Sequence, residues 1–436
     1  MKTASLDFAL PFVTAADPAA GGEGAIDPLG FAQVADRLAE WVLPGMTSRM
    51  ERPRFVTAMA VSAAVCEGLE DRGAGDGMTP AEVVFEWLLV EGFARRAGRD
   101  EVRRTPGIDK AASAVAAGIA LSARGYLKTP SVFGFHGVYE RLARHLGVVD
   151  DVLRCDETGY ELLKIWEREQ GQSGFVTGDG SLLRSLRVAL DDALSMGHTT
   201  RTNGWQGWDF FAAHLAPARI GKREAGLLWK KLLSDRGDRR GEVFELVAAP
   251  DTHAAFADGA SDLDVIRCLL RRSSAQLAAR WQAICAYEAF CGCVEAAFEW
   301  LLVLATRSGS YPLSRGEFAS EKRVTKLAAQ LQKHRQVAMA LLAEAPAPIP
   351  DLFAQVSEMF ELVSDAESLF DAVLQRHAAV QREKPPEGKR EWFERTADDS
   401  VLVRPPYRRT EPVTWRRPYR LRAVLSFCND LRRGRS

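Results

Sequence analysis

The chain has 436 residues, 47% hydrophobic and 26% charged, which are ordinary globular values and exclude a wholly disordered chain. That length suggests two to four domains able to bury most of their apolar surface without disulfide or metal staples. The formal net charge of −1 excludes nothing about partners but hides an asymmetry: residues 401–436 carry ten Arg against Glu411 and Asp430, a local +8, leaving −9 for the other residues.

In chain order, the opening ~28 residues are rich in Gly, Ala and Pro and read as an irregular arm. Its run Leu6, Phe8, Leu10, Phe12 is suited to docking on the body, and its single Lys and short apolar stretch do not predict a secretory signal. Asp27-Pro28 opens a helix whose face is Leu29, Phe31, Val34, Leu38, Trp41 and Val42, and Pro44-Gly45 ends it. A second helix is predicted over 53–69, stopping in the Gly-rich stretch 73–77. Thr79, Pro80 and Glu82 then spell an N-cap, a first-turn proline and a capping box for the helix bearing Val83, Val84, Trp87 and Leu88. Further helices are predicted over 108–122, 132–146, 182–196, 208–215 and 222–233, and the segment 241–247 reads as a strand.

Residues 262–306 lack Pro and predict one very long helix or two in near continuity. Its most apolar part carries Glu295 and Glu299, costly in a bilayer, so the spacing predicts a buried core helix and no membrane partner. Helices over 320–344 and 350–380 follow, hinged at Pro346, Pro348 and Pro350, and 262–380 is expected to pack as an antiparallel bundle. Beyond the Pro385-Pro386-Glu387-Gly388 turn, Trp392-Phe393 and Val401-Leu402-Val403 flank Asp398-Asp399-Ser400 as a small hairpin, and a helix over 419–431 closes the chain. The expected fold is mainly α and multi-domain. It comprises an arm with a helical pair (1–78), a winged-helix-like subdomain (79–170), a helical middle (171–260), a long-helix bundle (261–384), and a basic hairpin and helix (385–436).

Enzyme signatures are sparse. The seven Cys are odd in number, lack a CxxC pair and sit mostly in apolar helical patterns, which points to a reducing, cytoplasmic setting. The seven His are isolated, and no HExxH, GxSxG, GxGxxG or Walker pattern is present, so neither a catalytic residue nor a metal or cofactor is expected. Ser181, after Gly178-Asp179-Gly180, reads as a helix N-cap rather than an anion site. Trp205 and Trp208, in a Gly-rich loop beside Arg201, read either as a stacking surface or as plugs between helices.

Residues 79–170 run from a capped helix through a small-residue helix and Thr129-Pro130-Ser131 to a helix bearing Tyr139, Leu142 and Leu146. Leu146-Gly147-Val148-Val149 and Glu157-Thr158-Gly159-Tyr160 follow. This order resembles a winged helix-turn-helix, in which a recognition helix leads through a turn into a β-wing and a closing helix, although the wing here is only a few residues long. The resemblance implies major-groove binding with Arg124, Lys128, His136, Arg141 and Arg144 near the phosphates; Glu140 lies among them. The competing reading is a helical subdomain that packs or binds protein.

In the tail, Arg404, Arg408, Arg409, Arg416, Arg417, Arg420 and Arg422 interleave with Tyr407, Trp415 and Tyr419. Arginine grips phosphate and aromatic rings stack on bases. The tail reads equally well as docking on the acidic body of its own chain. Asp27-Pro28-Leu29-Gly30 through Arg52-Pro53-Arg54-Phe55, and the closing Tyr419-Arg420-Leu421-Arg422, resemble the ends of bacterial proteins associated with phage-defence gene clusters. Together these readings predict a non-enzymatic component of a larger complex with protein partners, binding DNA or RNA. The alternatives are an α-helical interaction scaffold and a nuclease or hydrolase whose site is assembled from distant residues.

Overall fold

The computed structural model describes residues 27–69, 72–234, 239–384 and 388–435; the apolar run of the N-terminal arm and most of the 385–388 turn lie outside them. Among the described residues the chain is mainly α, as expected, with one two-stranded antiparallel sheet. In order, the helices are α1 (Ala32–Val42), α2 (Arg54–Cys66), α3 (Ala81–Arg96), α4 (Ile108–Ala116), α5 (Pro130–Phe133), α6 (Phe135–His145), α7 (Glu157–Gln170), α8 (Ser181–Met196), α9 (Gly207–Leu215), α10 (Lys222–Leu233), α11 (Arg240–Val247), α12 (Pro250–Ala257) and α13 (Asp262–Leu269). Then come α14 (Ala275–Arg307), α15 (Arg315–Ser320), α16 (Lys322–Leu342), α17 (Ile349–Ser357) and α18 (Ala366–Glu383). The strands β1 (Phe393–Arg395) and β2 (Val401–Val403) and helix α19 (Leu421–Arg435) complete the chain.

These elements form two compact units, each discontinuous in sequence and cutting across the five expected segments. Of the described residues, the larger holds those within 34–285, 344–349 and 416–435, and the smaller those within 27–33, 286–343 and 350–415. In the larger unit α2 is buried along its whole length, and it packs against α6 and α7. A helix apolar all round belongs in the middle of a core, and α2 occupies that place. Helix α3 lies against α9 and α4, and α19 against α10 and α11.

In the smaller unit α18 packs against α15 and α16. His377 of α18 is fully buried and faces Phe298, Trp392 and Phe393. The Trp392 N–H donates to its Nε2 (3.0 Å), so Nδ1 carries the proton and donates to the Pro28 carbonyl (3.0 Å). Burial pushes its pKa down to about 4, partly opposed by the Pro28 bond. The hairpin pairs Phe393 with Val403 and Arg395 with Val401, and Asp398 at its tip accepts from Thr396 and Ser400, as turn chemistry predicts.

Helix α14 is long and apolar enough to cross a membrane by length and composition, yet 72% of its most apolar window is buried inside the structure. Its Glu295 and Glu299 are buried too, the pattern of a core helix.

Several local expectations change. Segment 241–247 is helical, not a strand: Val243, Phe244 and Val247 form a buried face at helical spacing, and Arg240 ties the helix start to the Lys231 and Leu232 carbonyls of α10. β-branched residues read as strand until packing selects the period. Thr79 does not cap α3; its hydroxyl donates to Asp76 (2.6 Å), whose carboxylate also takes the Met78 and Thr79 N–H groups. The cap of α8 is Gly180, with Ser181 already inside the helix.

The helix expected over 350–380 is broken between α17 and α18, where Asp365 caps the second piece through the Ser368 N–H (2.8 Å). The one over 132–146 is broken at Gly134, whose backbone is extended and where a Cβ would collide with a Glu86 carboxylate oxygen. Residues 262–306 resolve as α13 and α14, separated by a short 3-10 turn over Leu270–Arg272.

Candidate nucleic-acid interface

The residues nominated in 79–170 do not share one surface role. Helix α6 buries Phe135, His136, Val138, Tyr139, Leu142 and Ala143. His136 therefore faces the core of the larger unit, not a groove. Arg144 is held within its own neighbourhood by Glu140 (2.7 Å) and Asp151 (3.5 Å). Arg124, Lys128 and Arg141 are exposed. After α6, Val149 bridges Cys155 antiparallel around a turn in which Asp150 Oδ1 accepts from the Val152 and Arg154 N–H groups (2.9 Å each), and α7 follows.

His136 belongs to a polar network that sequence reasoning missed. Its Nε2 lies 2.8 Å from Ser62 Oγ and its Nδ1 3.3 Å from Glu86 Oε2. Glu86 also accepts from the Tyr126 hydroxyl (2.6 Å) and the His136 N–H (3.1 Å). The serine–histidine–carboxylate order is that of a nucleophile, its base and an orienting acid. Yet Ser62 is 2%, His136 4% and Glu86 0% exposed, and Ser62 lies inside the wholly buried α2. A nucleophile must reach its substrate, so in this conformation the set is a polar bridge joining α2, α3 and α6. The available signal was a single polar residue within an apolar helical run, Ser62 in α2 and Glu86 in α3.

A second buried pair, Arg54 and Glu224 (3.2 Å), joins α2 to α10, with Thr57 donating to Glu224 (2.7 Å) and Arg54 to the His214 carbonyl (2.6 Å). Burial lowers the Arg54 pKa and raises that of Glu224. Trp208 is fully buried, donating to the Thr202 carbonyl (2.8 Å), and is a plug; Trp205 packs edge-on against it. Among the described residues no group of three or more His, Cys, Asp or Glu is placed to hold a metal ion.

The basic tail divides into cations neutralised by their own unit and cations left over. In the smaller unit Arg404 pairs with Glu394 (2.6 Å) and Arg409 lies 3.5 Å from Glu299. Glu299 also accepts from the Val413 N–H and the Trp415 indole N–H, at 3.0 Å each. Burial pushes its carboxyl pKa up, and these donors and Arg409 oppose the rise. Arg408 is exposed.

In the larger unit Arg420 is buried and bound by Asp36 (2.6 Å) and Glu40, while Asp262 accepts from the Tyr419 (2.8 Å) and Leu421 (3.1 Å) N–H groups. Arg417 is half-buried and Arg416 exposed. Arg422 donates to the Ala260 carbonyl (2.7 Å) with its guanidinium carbon 4.9 Å from the Phe256 ring centre. Two residues beyond the nominated set behave alike: Arg432 donates to the Ala248 carbonyl (2.7 Å), and Arg435 lies 5.4 Å from the Trp229 ring centre. Arg416, Arg422, Arg432 and Arg435 are exposed; attraction from Arg416 reaches Asp264, and that from Arg422 reaches Asp262. A main-chain carbonyl fixes a guanidinium without cancelling its charge.

No known protein-family model, curated protein or solved structure matches the chain. Its class is set by its own geometry: a mainly α-helical chain of two compact units with an arginine-rich C-terminal helix.

Proposed function

We propose that the chain is a non-enzymatic nucleic-acid-binding component of a larger assembly. The observation that carries this reading is the set of exposed arginines at 416, 422, 432 and 435, of which Arg422 and Arg432 bind main-chain carbonyls, and which stay exposed after the tail has folded onto its own unit. Phosphate contacts by such residues supply sequence-independent affinity that falls steeply with salt. The winged-helix resemblance of 79–170 is a secondary part of the proposal and rests on the succession of α6, the Val149–Cys155 bridge and α7. The resemblance of the chain ends to phage-defence proteins directs the search for partners to products of neighbouring genes. The test is binding of the full chain to duplex DNA, single-stranded DNA and RNA across a salt series. Binding that weakens with salt is expected; no binding at about 50 mM salt overturns the proposal.

A second reading, an α-helical interaction scaffold, is favoured by exposed apolar side chains in the smaller unit, chiefly Leu362 at 89% and Tyr311 at 79%. Co-purification with neighbouring gene products in the absence of nucleic acid supports it. A chain that stays monomeric and alone in extracts of its own host counts against it.

A further inference from the structure

Helix α19 combines a buried face with a charged flank. Leu421, Ala423, Val424, Phe427, Cys428 and Leu431 are buried in the larger unit. Arg422 and Arg432 lie ten residues apart, about 15 Å along the helix axis. Each is tied by one N–H to a carbonyl just past the end of a neighbouring helix: Ala260 after α12 and Ala248 after α11. Those carbonyls lie in the short connections that follow α12 and α11, so each arginine satisfies a main-chain acceptor with one donor and has others left for a ligand. Arg422 is further fixed by its stacking on Phe256. Guanidiniums immobilised before binding lose little side-chain entropy when they grip a phosphate.

Of the acids near this flank, Asp258 and Glu245 are exposed, and Asp262 and Asp264 attract Arg422 and Arg416. Asp251 pairs with Arg272, Asp264 is bonded to Ser261 and lies 3.6 Å from Arg267, and Asp262 is turned inward onto backbone N–H groups. Helices that read bases present their N-terminal residues to a groove. Here that end is closed, with Tyr419, Arg420 and Leu421 all buried.

Building on the nucleic-acid reading, we propose that the flank of α19 carrying Arg422 and Arg432 is a phosphate-contact surface that holds the nucleic-acid backbone without reading its sequence. The charge makes the affinity and the buried N-terminus removes base readout.

The test uses the full chain and fluorescence anisotropy with two unrelated duplexes of about 30 base pairs and a single strand of the same length, over about 50–200 mM salt. Wild-type protein binds both duplexes with affinities within about threefold of each other, since phosphate contacts carry no sequence information. In Arg422→Ala/Arg432→Ala the slope of log affinity against log salt falls by about 2 and affinity at about 50 mM salt drops at least about tenfold. Arg422→Gln/Arg432→Gln keeps a donor for each carbonyl, so the same slope loss in that variant, with unchanged thermal unfolding, separates lost charge from lost fold. Arg315→Ala, which removes an arginine paired with Glu367 and Asp371, leaves binding unchanged.

Wild-type binding with an unaltered slope in both double variants overturns the inference while sparing the nucleic-acid reading. Strong preference for one duplex overturns the claim of sequence independence. Binding to phosphatidylserine vesicles but to no nucleic acid overturns both the inference and the reading beneath it.

Discussion

Acid should weaken the smaller unit through one histidine. His377 is fully buried and neutral, its ring bonded on one side to the Trp392 N–H and on the other to the Pro28 carbonyl. Its pKa falls from 6.5 to about 4 because burial disfavours the charged ring. In the unfolded chain it protonates near 6.5, so below that pH the unfolded state binds the extra proton and the folded state does not until about pH 4. Stability from this group is therefore intact above pH 6.5 and lost progressively down to about pH 4. At about 1.4 kcal/mol per pH unit, that gap amounts to about 3 kcal/mol.

The assay is hydrogen exchange at the Trp392 amide, corrected for its intrinsic rate at each pH, because a chain of two units has no single unfolding free energy. His377→Leu removes the titration and leaves the Trp392 N–H and the Pro28 carbonyl unpaired, costing about 3 kcal/mol at pH 7.5. The curves of wild type and variant should then converge as pH approaches 4. Parallel curves from pH 7.5 to 4 would refute the claim that His377 is neutral in the fold.

Two further outcomes follow from the buried acids and the sealed serine. Glu299→Ala leaves the Val413 and Trp415 N–H groups without their acceptor and Arg409 without its nearby carboxylate. Exchange over 409–415 should rise by at least about tenfold, since such bonds contribute about 1.5–3 kcal/mol each; unchanged protection there refutes the anchoring role. Ser62→Ala should lower stability by about 1–2 kcal/mol through the His136 bond it loses, and native protein should not react with a fluorophosphonate at Ser62. Labelling of Ser62 in the folded chain would show that the polar bridge opens to solvent and would revive a hydrolase reading.

The helical class, most helix positions, the 393–403 hairpin with its Asp398 turn and the core placement of Glu295 and Glu299 were all legible from residue order. Each depends on short-range period, turn residues or local hydropathy. Local signals failed where a distant partner outweighed them. The helix expected over 132–146 is interrupted at Gly134, whose backbone is extended and where Glu86 leaves no room for a Cβ, and 241–247 is helical because Val243, Phe244 and Val247 find a buried face at that period.

The same division governs function. Sequence alone established that positive charge gathers in the tail, because charge sums along the chain. It could not assign those cations, because pairing depends on neighbours hundreds of residues away: Arg420 is cancelled by Asp36 and Glu40, while Arg422 and Arg432 meet carbonyls and stay charged. Only the tertiary structure decided that His136 turns inward to Ser62 and Glu86, and that Arg422 and Arg432 of the last helix stay exposed.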